Sequence, residues 1–164
     1  MTTPVQFCIE RLYLSPGHNF YGHEVTAPGR HPLVECTEVE CVAGRGLVGD
    51  RYFDRKPGFK GQITFLSSEV FEEVCRLLQV TGKPPGVTRR NVITRGVDLN
   101  TLIGEEFILQ GIRFEGTGEC SPCHWMNHAI APGAEAAMTG RGGLRARILT
   151  SGTLRLSTPA RFTV

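Results

Sequence analysis

Gln62-Ile63-Thr64-Phe65-Leu66-Ser67-Ser68-Glu69-Val70-Phe71-Glu72-Glu73-Val74-Cys75-Arg76-Leu77-Leu78-Gln79 is the stretch where one periodicity gives way to another. Its first five residues read as a short strand. Ser67 and Ser68 then supply hydroxyls suited to cap a helix running from about Glu69 to Gln79. Val70, Phe71, Val74, Leu77 and Leu78 fall at i, i+1, i+4, i+7 and i+8, a stripe able to lie on a sheet. Gly82 is expected to stop the helix. A helix start with unpaired amides is also a ready anion site, so Ser67 is a candidate anion contact as well as a cap.

Upstream, Val5, Phe7 and Ile9 alternate with polar residues before Leu12 and Leu14, a strand ended by Ser15-Pro16-Gly17. His18 to Pro32, with two prolines and three of the five histidines, shows no period and reads as a long loop. Leu33 to Val42 alternates Val39 and Cys41 with Glu38 and Glu40, a strand with one solvated face. Gly44 to Phe53 contains three closely spaced glycines, which imply tight turns with backbone amides open to a ligand. Asp54 to Gly61 is a basic loop carrying Arg55, Lys56 and Lys60.

Downstream, Val87 to Thr94 reads as a strand that begins with two adjacent arginines, Arg89 and Arg90, whose guanidinium forks suit a phosphate. Glu106 to Leu109 and Ile112 to Phe114 flank Gln110-Gly111 as a strand pair. Asn127 to Met138 is alanine-rich, is broken by Pro132-Gly133, and is expected to form only short helical turns. Leu144 to Leu149 and Thr153 to Leu156 are expected to close the chain as a hairpin around Ser151-Gly152. About seven short strands with one or two peripheral helices predict a mainly β, barrel-like single domain over residues 1–164.

The 164 residues suffice for a core without disulfide staples. Eighteen Lys+Arg against sixteen Asp+Glu leave a net charge of +2, too little to imply nucleic acid or an acidic membrane as partner. No basic leader or long apolar run opens the chain, so a cytoplasmic location and free thiols are expected for its six cysteines.

Cys120-Ser121-Pro122-Cys123-His124-Trp125 gathers two thiols, an imidazole and the only tryptophan, just past a strand end. The spacing matches c-type haem attachment, although that chemistry belongs to exported chains. Zinc held by Cys120, Cys123 and His124 or His128 is a second possibility, but no second pair of ligands is present. A redox pair, or two thiols packed as small hydrophobes, are the others.

An ordered series of segments resembles the MOSC family, the domain named after the C-terminal part of molybdenum cofactor sulfurases. Gly46-Leu47-Val48-Gly49-Asp50-Arg51 resembles its early glycine-Asp-Arg turn, and Ile63 to Ser67 its strand-to-helix step. Arg89-Arg90-Asn91-Val92 is similar to its Arg-x-Asn-Ile/Val segment, Leu102 to Phe107 to the strand before its cysteine, and Gly142 to Leu149 to its closing strand. The resemblance implies a β-rich fold that binds the pyranopterin form of molybdenum cofactor. It makes Cys123 the molybdenum ligand or sulfur-carrying thiol, with Cys120 supporting or protecting it. Arg89 and Asn91, with Asp50, Arg51 and Ser67, become the candidates for holding phosphate or pterin.

The activity implied is a molybdenum-dependent oxidoreductase of N-hydroxylated small molecules; the alternative is a persulfide or cofactor carrier without turnover. Larger relatives carry an additional N-terminal domain, and no cysteine set here suits an iron–sulfur cluster. A separate electron-donor protein or sulfur donor is therefore the expected partner, with no role for nucleic acid or membrane.

Overall fold

The computed structural model describes residues 3–18 and 31–157. Its strands are β1 (Thr3–Pro4), β2 (Cys8–Leu14), β3 (Val34–Cys36), β4 (Glu38–Val42), β5 (Gly46–Leu47), β6 (Ile63–Ser67), β7 (Val92–Arg95), β8 (Glu106–Leu109), β9 (Ile112–Glu119), β10 (Leu144–Ile148) and β11 (Gly152–Arg155). The helices are α1 (Ser68–Leu77), α2 (Trp125–Ala129) and α3 (Ala134–Ala137), and 3-10 turns cover Pro85–Thr88 and Leu99–Leu102. Most of the loop expected between His18 and Pro32 lies outside the described residues.

Eight strands form a mixed sheet in the order β1-β8-β9-β10-β6-β7-β2-β3, and β11-β4-β5 form a second sheet. The main core lies between them. Ile9, Leu12, Phe65, Val92, Phe107, Phe114 and Leu144 from the large sheet meet Val39, Cys41, Leu47 and Leu154 from the small one. Phe65 makes edge contacts with Phe107 at 6.1 Å and Phe114 at 5.8 Å, while Phe107 and Phe114 stack at 5.4 Å. Such pairs add about 0.5–1.5 kcal/mol beyond the area they bury. Burial pushes the Cys41 thiol up to about 12, as expected of a cysteine that serves as core packing.

Successive side chains of a strand point to opposite faces, so Tyr13, Leu66 and Ile93, each next to a main-core residue, face the other way. There they pack with Phe71 and Val74 of α1 and with Met126, Ile130, Ala134 and Met138. The central strand β6 is buried at every position for this reason. Its short continuous apolar run is the signature of a strand covered on both faces.

The chain is mainly β with few helices, as the sequence implies, but the strands do not close into a barrel. No ladder joins the two sheets among the described residues. Two breaks produce this arrangement. The single strand expected over Leu33–Val42 divides at Thr37, so that β3 pairs with β2 while β4 pairs with β5 and β11. The expected terminal hairpin likewise divides, with β10 between β6 and β9 in the large sheet and β11 on β4 in the small one.

Ser67 caps α1 as predicted, its Oγ accepting from Val70 N–H at 3.3 Å. The helix ends earlier than Gly82 requires. Gln79 takes φ 55° and Val80 N–H closes on Cys75 O at 2.8 Å, leaving Leu77 54% exposed rather than within the buried stripe. Leu77→Lys should therefore change the unfolding free energy by less than about 0.5 kcal/mol. Val74→Ala, at a fully buried position of the same helix, should lose more than about 1 kcal/mol in the same urea titration.

β8 and β9 meet through Gln110-Gly111, both at positive φ, with Leu109 opposite Ile112, a two-residue hairpin loop. β9 runs on to Glu119, longer than the sequence suggests, because Gly116 sits under Leu102 O, where an added Cβ would lie 1.9 Å from that oxygen. The expected strand Val87–Thr94 begins only at Val92. Pro85 starts a 3-10 turn, and Arg89 turns the chain in the left-handed region at φ 60°.

Candidate functional site

Three segments that are distant in sequence meet over one end of β6 and β10. Arg51 follows β5, Arg89 and Arg90 precede β7, and Arg145 stands on β10 with Thr64 and Gly118 as its strand partners. Together with Cys120, at the end of β9, they line a cavity of about 110 Å³ walled by Tyr52 and Phe59. Among the described residues four of those lining it are arginines and none is an aspartate or glutamate. Gly61 and Gly118 flank the Arg145 side chain: a Cβ on either would be in ordinary contact with it, 3.5 Å from its Cδ or 3.7 Å from its Nη2.

Two guanidinium nitrogens of this cluster, Arg51 Nη1 and Arg145 Nε, are buried without a hydrogen-bond partner. A buried donor left unpaired costs about 1–3 kcal/mol, more when charged, so such a pair in one cavity marks a place for an acceptor. Arg51 lies over the Tyr52 ring at 4.4 Å, and its nearest carboxylate oxygen, Asp50 Oδ1, is 3.9 Å away. Burial, then the nearby Arg51, pushes the Arg89 guanidinium down to about 10. It remains charged at neutral pH. The same surroundings, burial first and then Arg51, Arg55 and Arg89, hold the His18 imidazole below its ordinary value.

Asn91 is a hub of hydrogen bonds beneath the cavity. Its Oδ1 accepts from Thr64 N–H and Oγ1–H, both at 3.0 Å, and its Nδ2 donates to Tyr13 O at 3.1 Å and Asp50 Oδ1 at 3.2 Å. An amide side chain has two donors and two lone pairs, and all are used. Asp50 is equally committed: Ser15 N–H reaches its Oδ1 at 2.9 Å and Tyr52 N–H its Oδ2 at 3.3 Å. Neither side chain lines the cavity. They fix the turn that carries Arg51 and the segment that carries Arg89.

Arg90 holds the cysteine loop. Its Nε donates to Gly142 O at 3.0 Å, and its Nη2 to Cys120 O at 2.9 Å and Ser121 O at 3.4 Å. Cys120 N–H in turn donates to Gly143 O at 2.7 Å. Cys120 therefore lines the cavity, whereas Cys123, three residues further along the loop and half-buried, does not. Both are free thiols. Glu119 Oε1 is a further buried atom without a partner.

Ser67 lies elsewhere, on the wall of a separate cleft with Glu69, Asp98 and Arg141. The start of α1 is already filled by the Glu69 carboxylate, which accepts from Ser67 Oγ at 2.8 Å and Gly96 N–H at 2.8 Å. Burial would raise the Glu69 pKa, but its own amide, that of Gly96, the Ser67 hydroxyl and Arg95 outweigh burial and hold it below the usual 4.5. A depressed folded-state pKa stabilises the fold above 4.5, and the contribution is lost as pH falls below it. Glu69→Gln should flatten that acid limb in urea midpoints measured against pH and leave the neutral-pH slope unchanged.

Among the described residues no three His, Cys, Asp or Glu side chains converge as ligands for a metal ion, so the zinc arrangement is not formed. His124 is exposed beside Glu135, and His128 lies against Trp125 with ring centroids 5.2 Å apart. Arg145 is the site residue that sequence reasoning leaves out, while Arg90, paired there with Arg89 as suited to a phosphate, proves to hold the cysteine loop. The alternation of Arg145 and Arg147 between apolar neighbours was the available signal, and it does not say which face meets a cavity.

Fold and cavity together define a two-sheet β protein with an arginine-lined cavity beside a pair of free thiols. The chain belongs to the MOSC domain family, whose model matches residues 52–159. No curated protein matches it. Among solved structures it is similar to the YuaD protein from Bacillus subtilis, with TM-score 0.70, 20% identity, and coverage of 92% of this chain and 91% of that one. It is also similar to YiiM from Escherichia coli, with TM-score 0.62, 16% identity, and coverage of 94% and 71%. YiiM from Geobacillus stearothermophilus gives TM-score 0.61, 15% identity, and coverage of 92% and 71%. No helix among the described residues is long and apolar enough to cross a membrane.

Proposed function

We propose that this protein binds molybdenum cofactor and acts as a molybdenum-dependent oxidoreductase on N-hydroxylated small molecules. The observation that carries the reading is the arginine cavity with its two buried, unpartnered donors. An oxyanion is the acceptor they lack, and a cofactor phosphate supplies one with geometry matched to guanidinium forks. Arg51 and Arg145 would donate to it, and Arg89 would add charge. Asp50 and Asn91 would position Arg51 and Arg89 from beneath the cavity.

Cys123 is the thiolate assigned to the metal. Cys123 would hold the metal from the loop whose Cys120 lines the arginine cavity. A soft thiolate suits molybdenum. Arg90 fixes that loop through its carbonyls, and Cys120 faces the anion end. Molybdenum, when bound, supplies the two-electron redox chemistry; the chain supplies charge, orientation and a ligand. Electrons then come from a separate donor protein. The free, closely spaced thiols also support a second reading, a persulfide carrier on Cys123.

Molybdenum and pterin analysis of protein made in cells that synthesise the cofactor tests the assignment. Stoichiometric metal and pterin in the wild type, lost in Cys123→Ala and kept in Cys120→Ala, is the expected pattern. Loss with Cys120→Ala alone would move the ligand to Cys120. A persulfide mass on Cys123 with no metal in any preparation would select the carrier.

A further inference from the structure

On the far side of Arg89 lies a second cavity, of about 390 Å³, which shares that residue with the arginine pocket. Its volume falls in the range of small-molecule sites. Leu33, Val87 and Ala129 give it apolar walls, and Trp125 an aromatic one. The indole is fixed: Nε1–H donates to Val87 O at 2.9 Å, His128 packs against the ring, and the Arg89 guanidinium lies 5.9 Å from it. Lys83 and Arg89 bring two cations, His31 and His128 line it as well, and among the described residues no aspartate or glutamate does. Lys83 Nζ donates to Ala129 O at 2.7 Å. An ammonium has three donors, so two remain for a ligand.

From this juxtaposition of a held indole, apolar walls and two cations, we propose that the cavity binds a planar organic anion, an aromatic or heteroaromatic ring bearing a carboxylate. The ring lies against Trp125, Val87 and Leu33. Its carboxylate faces Lys83 and Arg89, where charge-assisted bonds are the strong ones. A neutral ring keeps the apolar contacts and loses those bonds; a cationic one meets like charge. Because Arg89 serves both cavities, the ligand is held beside the anion pocket. That it is the substrate rests on the cofactor reading; that it binds does not.

The test uses the full chain free of cofactor, so that it succeeds or fails independently of molybdenum binding. Titration calorimetry with 2-naphthoate, 2-naphthamide and the 2-naphthylmethylammonium ion reads the preference. The expected result is one site per chain for naphthoate, about tenfold or more tighter than for the amide, with no measurable binding of the ammonium ion. Val87→Trp, which fills the cavity, should abolish naphthoate binding, its folding being checked by thermal melting. Lys83→Met should bring naphthoate and naphthamide to within about threefold of each other. Equal affinity for the three probes, no binding of naphthoate by the folded wild type, or unchanged binding by both variants would each overturn the proposal.

Discussion

Asn91→Leu should lower the unfolding free energy by about 3–5 kcal/mol in urea titration, with any loss of anion binding following from that collapse. Asn91 is 3% exposed, and every donor and acceptor of its side chain is engaged. Removing the amide strands Thr64 N–H, the proton of the Thr64 hydroxyl, Tyr13 O and one bond of the buried Asp50 carboxylate. Each is a desolvation cost without compensation, and the leucine offers none of them a partner. Asn91→Asp should also be strongly destabilising, because it sets a second carboxylate against Asp50 and replaces two donors with none. A variant within about 1 kcal/mol of wild type that had nevertheless lost its anion affinity would show that Asn91 contacts ligand directly.

The Arg145→Met variant carries the opposite signature. Inorganic phosphate should bind about tenfold or more weakly, while the thermal midpoint without ligand stays level or rises. Arg145 Nε has no partner, and the guanidinium shares a small cavity with those of Arg51, Arg89 and Arg90. A methionine keeps the stem packed between Gly61 and Gly118 and removes one buried charge from a like-charged cluster. In the wild type, phosphate should raise the midpoint by mass action, and the variant should lose most of that increment. Phosphate calorimetry at low salt and paired melting curves read both effects. A lower midpoint with unchanged phosphate affinity would make Arg145 a structural residue only.

The two predictions separate residues that build the pocket from those that face its occupant, and this distinction divides what was legible in the sequence. Asp50, Arg51, Arg89 and Asn91 stand out as a set from the order of motifs, and the structure brings them together. They differ in where their side chains face rather than in burial, since Asp50 at 6% and Arg89 at 8% exposure are buried alike. Asn91 and Asp50 saturate one another beneath the site, while Arg51 and Arg89 stay on the cavity wall. Ser67 carries a genuine cap signal, but Glu69 occupies the helix start it marks, and the cleft it lines is another one.

What the sequence by itself determined is local: the β6–α1 step, the Ser67 cap, the Gln110-Gly111 hairpin loop, the β-rich class and the cysteine loop past a strand end. Each depends on periodicity, on turn residues or on contacts within a few positions, and these are written directly in the order of side chains. The tertiary structure alone decided that β3 and β4 part at Thr37, that β11 leaves β10 for the second sheet, and that Arg90 pins the cysteine loop. It also decided that Cys120 rather than Cys123 lines the cavity with Arg145. Those outcomes depend on which distant strands pair, and long-range pairing is chosen by the packing of the whole core, where Phe65 and Leu66, adjacent in sequence, serve opposite faces of one sheet.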